Sequence, residues 1–296
     1  AMTGSNAEAV AGADTVMLTI KPQSLESIFS DLRGQLQPDQ VVVSIIAGAT
    51  VERLRNGLRH DALVRSMPNT PAQIGQGATV WMPTRAISEE GNAVVAALLS
   101  AMGHAVRVDT EDAVDMATAL SGTGPAYIFL VMEALIDAGV HMGFPRRIAE
   151  ELGLQTMLGS VMFAKESGKH PAELRNMVTS PGGTTAAALY QMEKGSLRTV
   201  ISRAVFAAYE RTVALGQGNA EPIAPPEEGD GGWGLGAGGG GERGTGNRGH
   251  AKASGSRHIW SHWCPPPLFN HSRRCRMILH NLSAQRCAES LGNVCR

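Results

Sequence analysis

Little in these 296 residues favours one sign of charge: 26 Lys and Arg against 27 Asp and Glu leave a formal net charge of -1. That removes the electrostatic case for nucleic acid or an anionic membrane as partner. No window is expected to stay apolar for the roughly 20 residues that a membrane-crossing helix needs. The opening AMTGSNAEAV has neither the basic end nor the apolar middle of a signal peptide, so a cytoplasmic location is expected. Cysteine is missing from the first 219 residues. All four, Cys264, Cys275, Cys287 and Cys295, fall near the C-terminal end without a C-x-x-C pair. This argues against a metal site, even with His262, His271 and His280 nearby, and nothing suggests the oxidising compartment that a disulfide framework requires.

What is there divides by composition near Asn219. Residues before it are rich in Ala, Val, Leu and Met with regular apolar periodicity, whereas Glu221 onward begins EPIAPPEEGDGGWGLGAGGGG, and residues 220–296 hold three of the four tryptophans. A glycine run of this kind buries too little apolar surface to offset its ordering entropy, so this tail is expected to be disordered. Within the body, DTVMLTI, VVVSII, ALVRSM, GATVWM and HAVRV are strand candidates, with the helical patterns SLESIFSDLRGQL and TVERLRNGL between the first of them. Strand, helix and strand in repetition predict a mostly parallel sheet covered by helices over residues 1–109. Over 110–219 no strand signal survives, and helices are predicted at 112–120, 125–142, 145–167, 171–177, 185–193 and 196–215. In the second of these the only acidic or basic side chains are Glu133, Asp137 and His141, at i, i+4 and i+8, which leaves one narrow polar stripe. Such a helix is either the centre of a bundle or an interface between two chains. His141 reads as a helix-terminal histidine.

Four stretches are placed where chemistry could occur. Thr19-Ile20-Lys21-Pro22 ends the first candidate strand, Ile46-Ala47-Gly48 follows the second, and Ser66 to Pro71 (SMPNTP, with Asn69) follows the third. The carboxyl ends of strands in a doubly wound sheet form the ligand crevice, so three such turns would be brought together. Each could equally be an ordinary turn. The fourth is a pair in the helical half, SGTGP (Ser121 to Pro125) and VTSPGGTT (Val178 to Thr185). Both lead into helices, whose first N–H groups suit a carboxylate or phosphate, although simple N-capping explains either taken singly.

The run PAELRNMVTSPGGTTAAALYQME resembles the signature of pyrroline-5-carboxylate reductase, and SMPNTP, LSGTGPAY and GFPRR follow the same family in order. The similarity covers Asn6 to Gly216. It implies a Rossmann-type α/β domain that binds NADPH or NADH, followed by an all-α dimerisation domain, in a homodimer or larger oligomer. The implied activity is reduction of 1-pyrroline-5-carboxylate to L-proline, the last step of proline biosynthesis. Cofactor contacts are then implied at Asn6, Thr19, Ile20, Lys21, Pro22, Ile46, Ala47, Gly48, Asn69 and Glu111. Substrate contacts are implied at Ser121, Gly122, Thr123, Gly124, Ser180, Gly182, Gly183 and Thr184, with Thr185 near the ring nitrogen and Thr118 in the same crevice. A ring imine arrives largely protonated near neutral pH, so carboxylate binding and orientation matter more than a strong general acid.

One departure from the family stands out: no strand with G-x-G-x-x-G precedes the first candidate strand. At least one βαβ unit, on the order of 30 residues, is then expected to be missing. The pyrophosphate cradle would be absent, the first strand would present an unpaired edge, and dinucleotide binding and reduction would be impaired. Two alternatives remain at this stage. A non-catalytic helical oligomerisation module is one. Another two-domain reductase, such as a hydroxyacid dehydrogenase, is the other, but residues 127–142 lack the central-helix lysine expected of it.

Overall fold

The computed structural model describes residues 2–218 together with the strands 258–263 and 274–279. The β-branched runs form β2 (Thr15–Thr19), β3 (Val41–Ser44), β4 (Leu63–Met67), β5 (Gly77–Pro83) and β6 (Gly103–Arg107), preceded by a short β1 (Met2–Thr3). β2, β3 and β4 run parallel and are buried along almost their whole length, which is why they read as continuous apolar runs. β5 returns antiparallel to β4, and β6 runs parallel to β5. Successive residues point to opposite faces. Val16, Leu18, Val42 and Leu63 therefore pack with Leu25, Phe29 and Leu54 from α2 (Leu25–Leu32) and α3 (Val51–Leu58), and with Val10 from α1 (Asn6–Val10). Met17, Val43 and Val64 meet Trp81, Val95 and Leu99 beneath α4 (Glu89–Ser100). The hydroxyls of Thr50, Ser88 and Thr110 start α3, α4 and α5 (Glu111–Ala117) by accepting the N–H groups of Arg53, Gly91 and Ala113 at 3.2, 3.1 and 3.3 Å.

The open edge expected at β2 is paired instead. β7 (His258–Trp263) and β8 (Arg274–Leu279) give an eight-stranded sheet in the order β1-β7-β8-β2-β3-β4-β5-β6. β8 runs parallel to β2 from Thr15↔Cys275 to Thr19↔Leu279. The expectation of a disordered tail fails for these two segments, because the unpaired N–H and C=O groups of β2 are a template for any available strand. HIWSHW and RCRMIL are rich in strand formers, a signal hidden by the glycine- and arginine-rich sequence around them. Cys264, Cys287 and Cys295, with the rest of the tail, lie outside the described residues.

From residue 111 to 216 the chain is helical. The predicted helices form with ends shifted by a residue or two: α6 (Gly124–His141), α7 (Arg146–Ser167), α8 (Pro171–Met177), α9 (Thr184–Lys194) and α10 (Leu197–Gly216). α6 and α7 make an antiparallel hairpin, in which a Cβ added to Gly139 would stand 3.0 Å from that of Ala149. Of the two settings open to α6, the centre of a bundle is not the one found within a single chain. Phe129 and Leu130 are 55% and 67% exposed, and Phe163 on α7 and Phe206 on α10 are 51% and 66% exposed. A continuous apolar face of this kind is an association surface. It also overturns the expectation that no segment is apolar over a membrane-crossing length. Within the helical run 111–141 an 18-residue window has a mean hydropathy of 1.4 and is 6% buried, and by length and composition alone it could cross a membrane.

The packing of α3 on α2 leaves no room at Gly57, where an added Cβ would land on the ring of Phe29, itself 4% exposed. Alanine gains up to about 1 kcal/mol of helix propensity over glycine, whereas overpacking costs about 1–3 kcal/mol. Gly57→Ala is expected to be net destabilising, read as a lower urea midpoint with an unchanged m-value.

Candidate active site

The three strand-end turns do converge, because β2, β3 and β4 are parallel neighbours and end on one edge of the sheet. Thr19 ends β2, Ile20 is buried, and Lys21 is exposed at the start of a 3-10 turn over Pro22–Ser24, where the Ser24 N–H donates to the Lys21 carbonyl at 3.0 Å. After β3, Ile46 is buried and Ala47 half-buried, and Gly48 takes φ +72°. Its outer side is covered by the last turn of α10: a Cβ there would stand 2.9 Å from that of Leu215 and 3.1 Å from the Gly216 nitrogen. Asn6 is 5% exposed and donates to Asp31 Oδ2 at 2.6 Å, which fastens α1 to α2.

Beyond β4, polar bonds tie the sheet to the helical half. Arg65, 2% exposed, points from β4 to α5, where Asp115 takes both terminal nitrogens and Glu111 Oε1 accepts from Nη1 at 3.2 Å. The same Glu111 oxygen accepts the Val51 N–H at 2.7 Å, at the first residue of α3. Glu111, implied as a cofactor contact, is thus committed to two protein donors. Asn69 is committed likewise: its amide donates to the Ser121 carbonyl at 3.1 Å and accepts the Ala78 N–H at 2.9 Å.

SGTGP leads from one helix into the next with its proline in the first turn of α6, as its sequence predicts, but the residues ahead of α6 are themselves helical. Residues 118–122 form a π-helical turn that runs on into α6, and the Thr123 N–H donates to the Thr118 carbonyl at 2.8 Å. The wider turn accommodates one extra residue without breaking the helix, and such turns are frequent at functional sites. The Thr118 and Ser121 hydroxyls donate to the carbonyls of Val114 at 2.8 Å and Ala117 at 3.0 Å, and Thr123 Oγ1 donates to the Thr118 carbonyl at 2.9 Å. Gly122 faces Met67 at the end of β4, where a Cβ would meet the methionine methyl at 3.0 Å. Gly124 opens α6 with nothing near its Cβ position.

VTSPGGTT is an exposed turn ahead of α9. Gly182 has φ +71°, Gly183 is the cap residue, and no side chain caps the helix. The Gly183 N–H donates to the Ser180 carbonyl at 3.1 Å, so the first helical donors, at Thr184 and Thr185, are the ones the turn presents. Among the described residues no hydrogen bond joins this turn to the sheet or to residues 118–124. α9 packs on α10, and α10 packs on α5 and on the π-helical turn.

Three residues of this region, Arg65, Asp115 and Tyr209, carry no motif. Signals for the first two existed: Arg65 is the one charge in ALVRSM, and Glu111 and Asp115 share a helix face at i and i+4. Tyr209 on α10 donates to Asp112 Oδ1 at 2.6 Å across 97 residues, a pairing no local pattern encodes. That hydrogen bond, followed by burial and the charges of Asp112 and Asp115, raises the Tyr209 pKa above its ordinary 10.0.

Residues 111–215 match the family model for pyrroline-5-carboxylate reductase dimerisation, and residues 1–48 match that for NADP oxidoreductase, coenzyme F420-dependent. The pyrroline-5-carboxylate reductase of Arabidopsis thaliana is 42% identical over 210 residues, 71% of this chain and 76% of that protein. The enzyme of the same name from Pseudomonas aeruginosa is 42% identical over 214 residues, 72% of this chain and 78% of that protein. The crystal structure of Plasmodium falciparum pyrroline carboxylate reductase with NADP bound superposes with a TM-score of 0.69 at 33% identity, covering 72% of this chain and 81% of that one.

The strand-end turns 19–22 and 46–48 lie side by side at the carboxyl ends of β2 and β3, the edge at which a doubly wound sheet takes its ligand. The start of α3 offers no pyrophosphate cradle, since its first N–H groups are taken by Glu111 and Thr50, and Gly48 lies under Leu215.

Two outcomes follow from this geometry. Asn69→Ala leaves the Ser121 carbonyl and the Ala78 N–H without partners, and each such loss costs about 1–3 kcal/mol; the expected reading is a lower melting temperature with faster hydrogen exchange at Ala78. A raised tyrosine pKa stabilises the fold below the unfolded value of about 10, and that contribution is lost as pH rises through the folded value. The stability difference between the parent and Tyr209→Phe should therefore shrink towards zero above that pH, as denaturant midpoints at pH 8 to 11.5 would measure.

Proposed function

The chain belongs to the pyrroline-5-carboxylate reductase family, and on that premise we propose that it reduces 1-pyrroline-5-carboxylate to L-proline, with residues 1–109 as the nucleotide domain and 110–219 as the substrate and dimerisation domain. The observation that carries the site assignment is the start of α9. It is an exposed S-P-G-G turn with φ +71° at Gly182, leading into a helix without a side-chain cap. Its open N–H groups at Thr184 and Thr185, with the positive end of the helix dipole, suit the substrate carboxylate. Thr185 then presents a hydroxyl to the ring nitrogen. A bound NADPH or NADH supplies the hydride at the imine carbon. The chain's own residues bind the carboxylate, orient the ring and hold the hydroxyl at nitrogen, a task of positioning more than of acid strength. Thr118 commits its proton to Val114, so its part is to shape the turn facing Met67 rather than to donate.

The turn before α9 and the turn at 118–124 are not joined within one chain, and the apolar faces of α6, α7 and α10 lie open between them and solvent. This supports a site completed across a homo-oligomer. Weak dinucleotide affinity belongs to the same reading. In this fold a glycine-rich turn after the central strand cradles the pyrophosphate, and the strand beside β2 is β8, followed in sequence by HNLSAQ.

Thr185→Val should reduce NADPH-dependent turnover at least tenfold with little change in melting temperature; an unchanged rate removes Thr185 from the mechanism. Light scattering should give a dimer or larger assembly. A fluorescence titration showing tight NADPH binding, or rapid turnover by the purified chain, would overturn the weak-affinity reading while leaving the reaction in place.

A further inference from the structure

One carboxylate oxygen joins the two halves of the candidate site. Glu111 Oε1 accepts from the Val51 N–H at 2.7 Å and from Arg65 Nη1 at 3.2 Å. Val51 begins α3 three positions after Gly48, so its N–H is bonded at the end of the turn proposed to face the cofactor. Glu111 begins α5, which passes without a break into the π-helical turn 118–122 beside the proposed substrate site. Arg65 is the anchor. It projects from the interior of β4, is 2% exposed, and is also bound by Asp115 one helical turn after Glu111. A buried guanidinium must keep its anionic partners, so α5 is held to β4 at two points and cannot roll. Through the second acceptor bond of Glu111, the turn at 46–50 is held to the same frame.

We propose that Glu111 is a positioning residue, which with Arg65 and Asp115 sets the distance and angle between the turn after β3 and the turn that opens α6, and hence between hydride donor and imine carbon. This rests on the reductase reading above, and it gives Glu111 a role other than contact with the cofactor. Hydride transfer is sensitive to small displacements, because reacting atoms must sit about 3–3.5 Å apart. Loss of the tie should therefore appear in turnover before it appears in substrate affinity.

The test uses the full chain with Glu111→Ala, Glu111→Gln, which keeps an acceptor oxygen, and Glu111→Asp, which is one methylene too short to reach both donors. Backbone hydrogen exchange is followed at 49–53 and 118–124, with β4 and β5 as internal controls, alongside kcat and KM for NADPH oxidation with pyrroline-5-carboxylate. The expected result for Glu111→Ala is exchange at least tenfold faster in both turns together, with β4 and β5 unchanged. kcat should fall at least tenfold while KM stays within threefold, and Glu111→Gln should recover most of both losses. Glu111→Asp should show the same paired pattern and serves if the alanine variant does not fold. Exchange that stays slow at 118–124, or that rises equally in β4 and β5, overturns the proposal. So does a loss confined to the KM for NADPH, which would return Glu111 to the cofactor site. A parent chain that oxidises no NADPH even at cofactor concentrations high enough to offset weak binding sinks the reductase reading, and the exchange measurements still decide whether Glu111 ties the two turns.

Discussion

A guanidinium with 2% of its surface exposed cannot stand alone inside a sheet, and the demand of Arg65 for carboxylates organises the region around it. Asp115 and Glu111 meet that demand from a single helix face, which fixes α5 across β4. Removing one member of such a buried pair typically costs about 3–5 kcal/mol, because the other is left charged and dry. Among the described residues Arg65 Nε has no partner, so the arrangement already carries one unsatisfied donor and has little tolerance for losing another. Everything downstream of α5, including the π-helical turn and the direction in which α6 leaves the sheet, takes its position from this attachment.

The helical half follows the opposite logic. The sheet half buries its apolar residues on both faces within one chain, whereas α6, α7, α9 and α10 turn theirs outward. Gly139 and Gly153 bring α6 and α7 close enough to form a hairpin, but a hairpin has too few layers to enclose a core. Membership of a family with a dimerisation region over these residues accounts for that surface: the missing layer is another copy of the chain. α10 is the exception that returns. It meets α5 through Tyr209 and Asp112, and its last turn covers Gly48, so the final helix of the helical half closes over a strand end of the sheet half. The separation of VTSPGGTT from SGTGP within a single chain follows from the same build.

Strands, the helix spans after residue 110 and the two regimes were legible because they rest on local regularities: continuous β-branched runs in β2, β3 and β4, and helical periodicity after residue 110. Errors arose where a local signal was ambiguous or outweighed. Gly122 in SGTGP suggested a break after Leu120, but the helix carries through it as a π-helical turn before α6 opens at Gly124. The strand-forming runs HIWSHW and RCRMIL were submerged in low-complexity sequence, and an unpaired neighbour, β2, decided their state. The narrow polar stripe of α6 demands cover, and the apolar residues around it are the ones that bring an 18-residue window within 111–141 to a mean hydropathy of 1.4.

The amino-acid sequence by itself determined the order of elements, the apolar faces and, through SMPNTP, LSGTGPAY and VTSPGGTT, the family. Each of these is written within a span of residues that interact along the chain. Only the tertiary structure decided what Glu111, Asn69 and Asn6 do with their polar atoms, and that Arg65, Asp115 and Tyr209 matter at all. Their partners lie between 9 and 97 positions away. A carboxylate or amide bonds whatever donor the fold brings within about 3 Å, and that geometry exists only once the sheet and helices have packed.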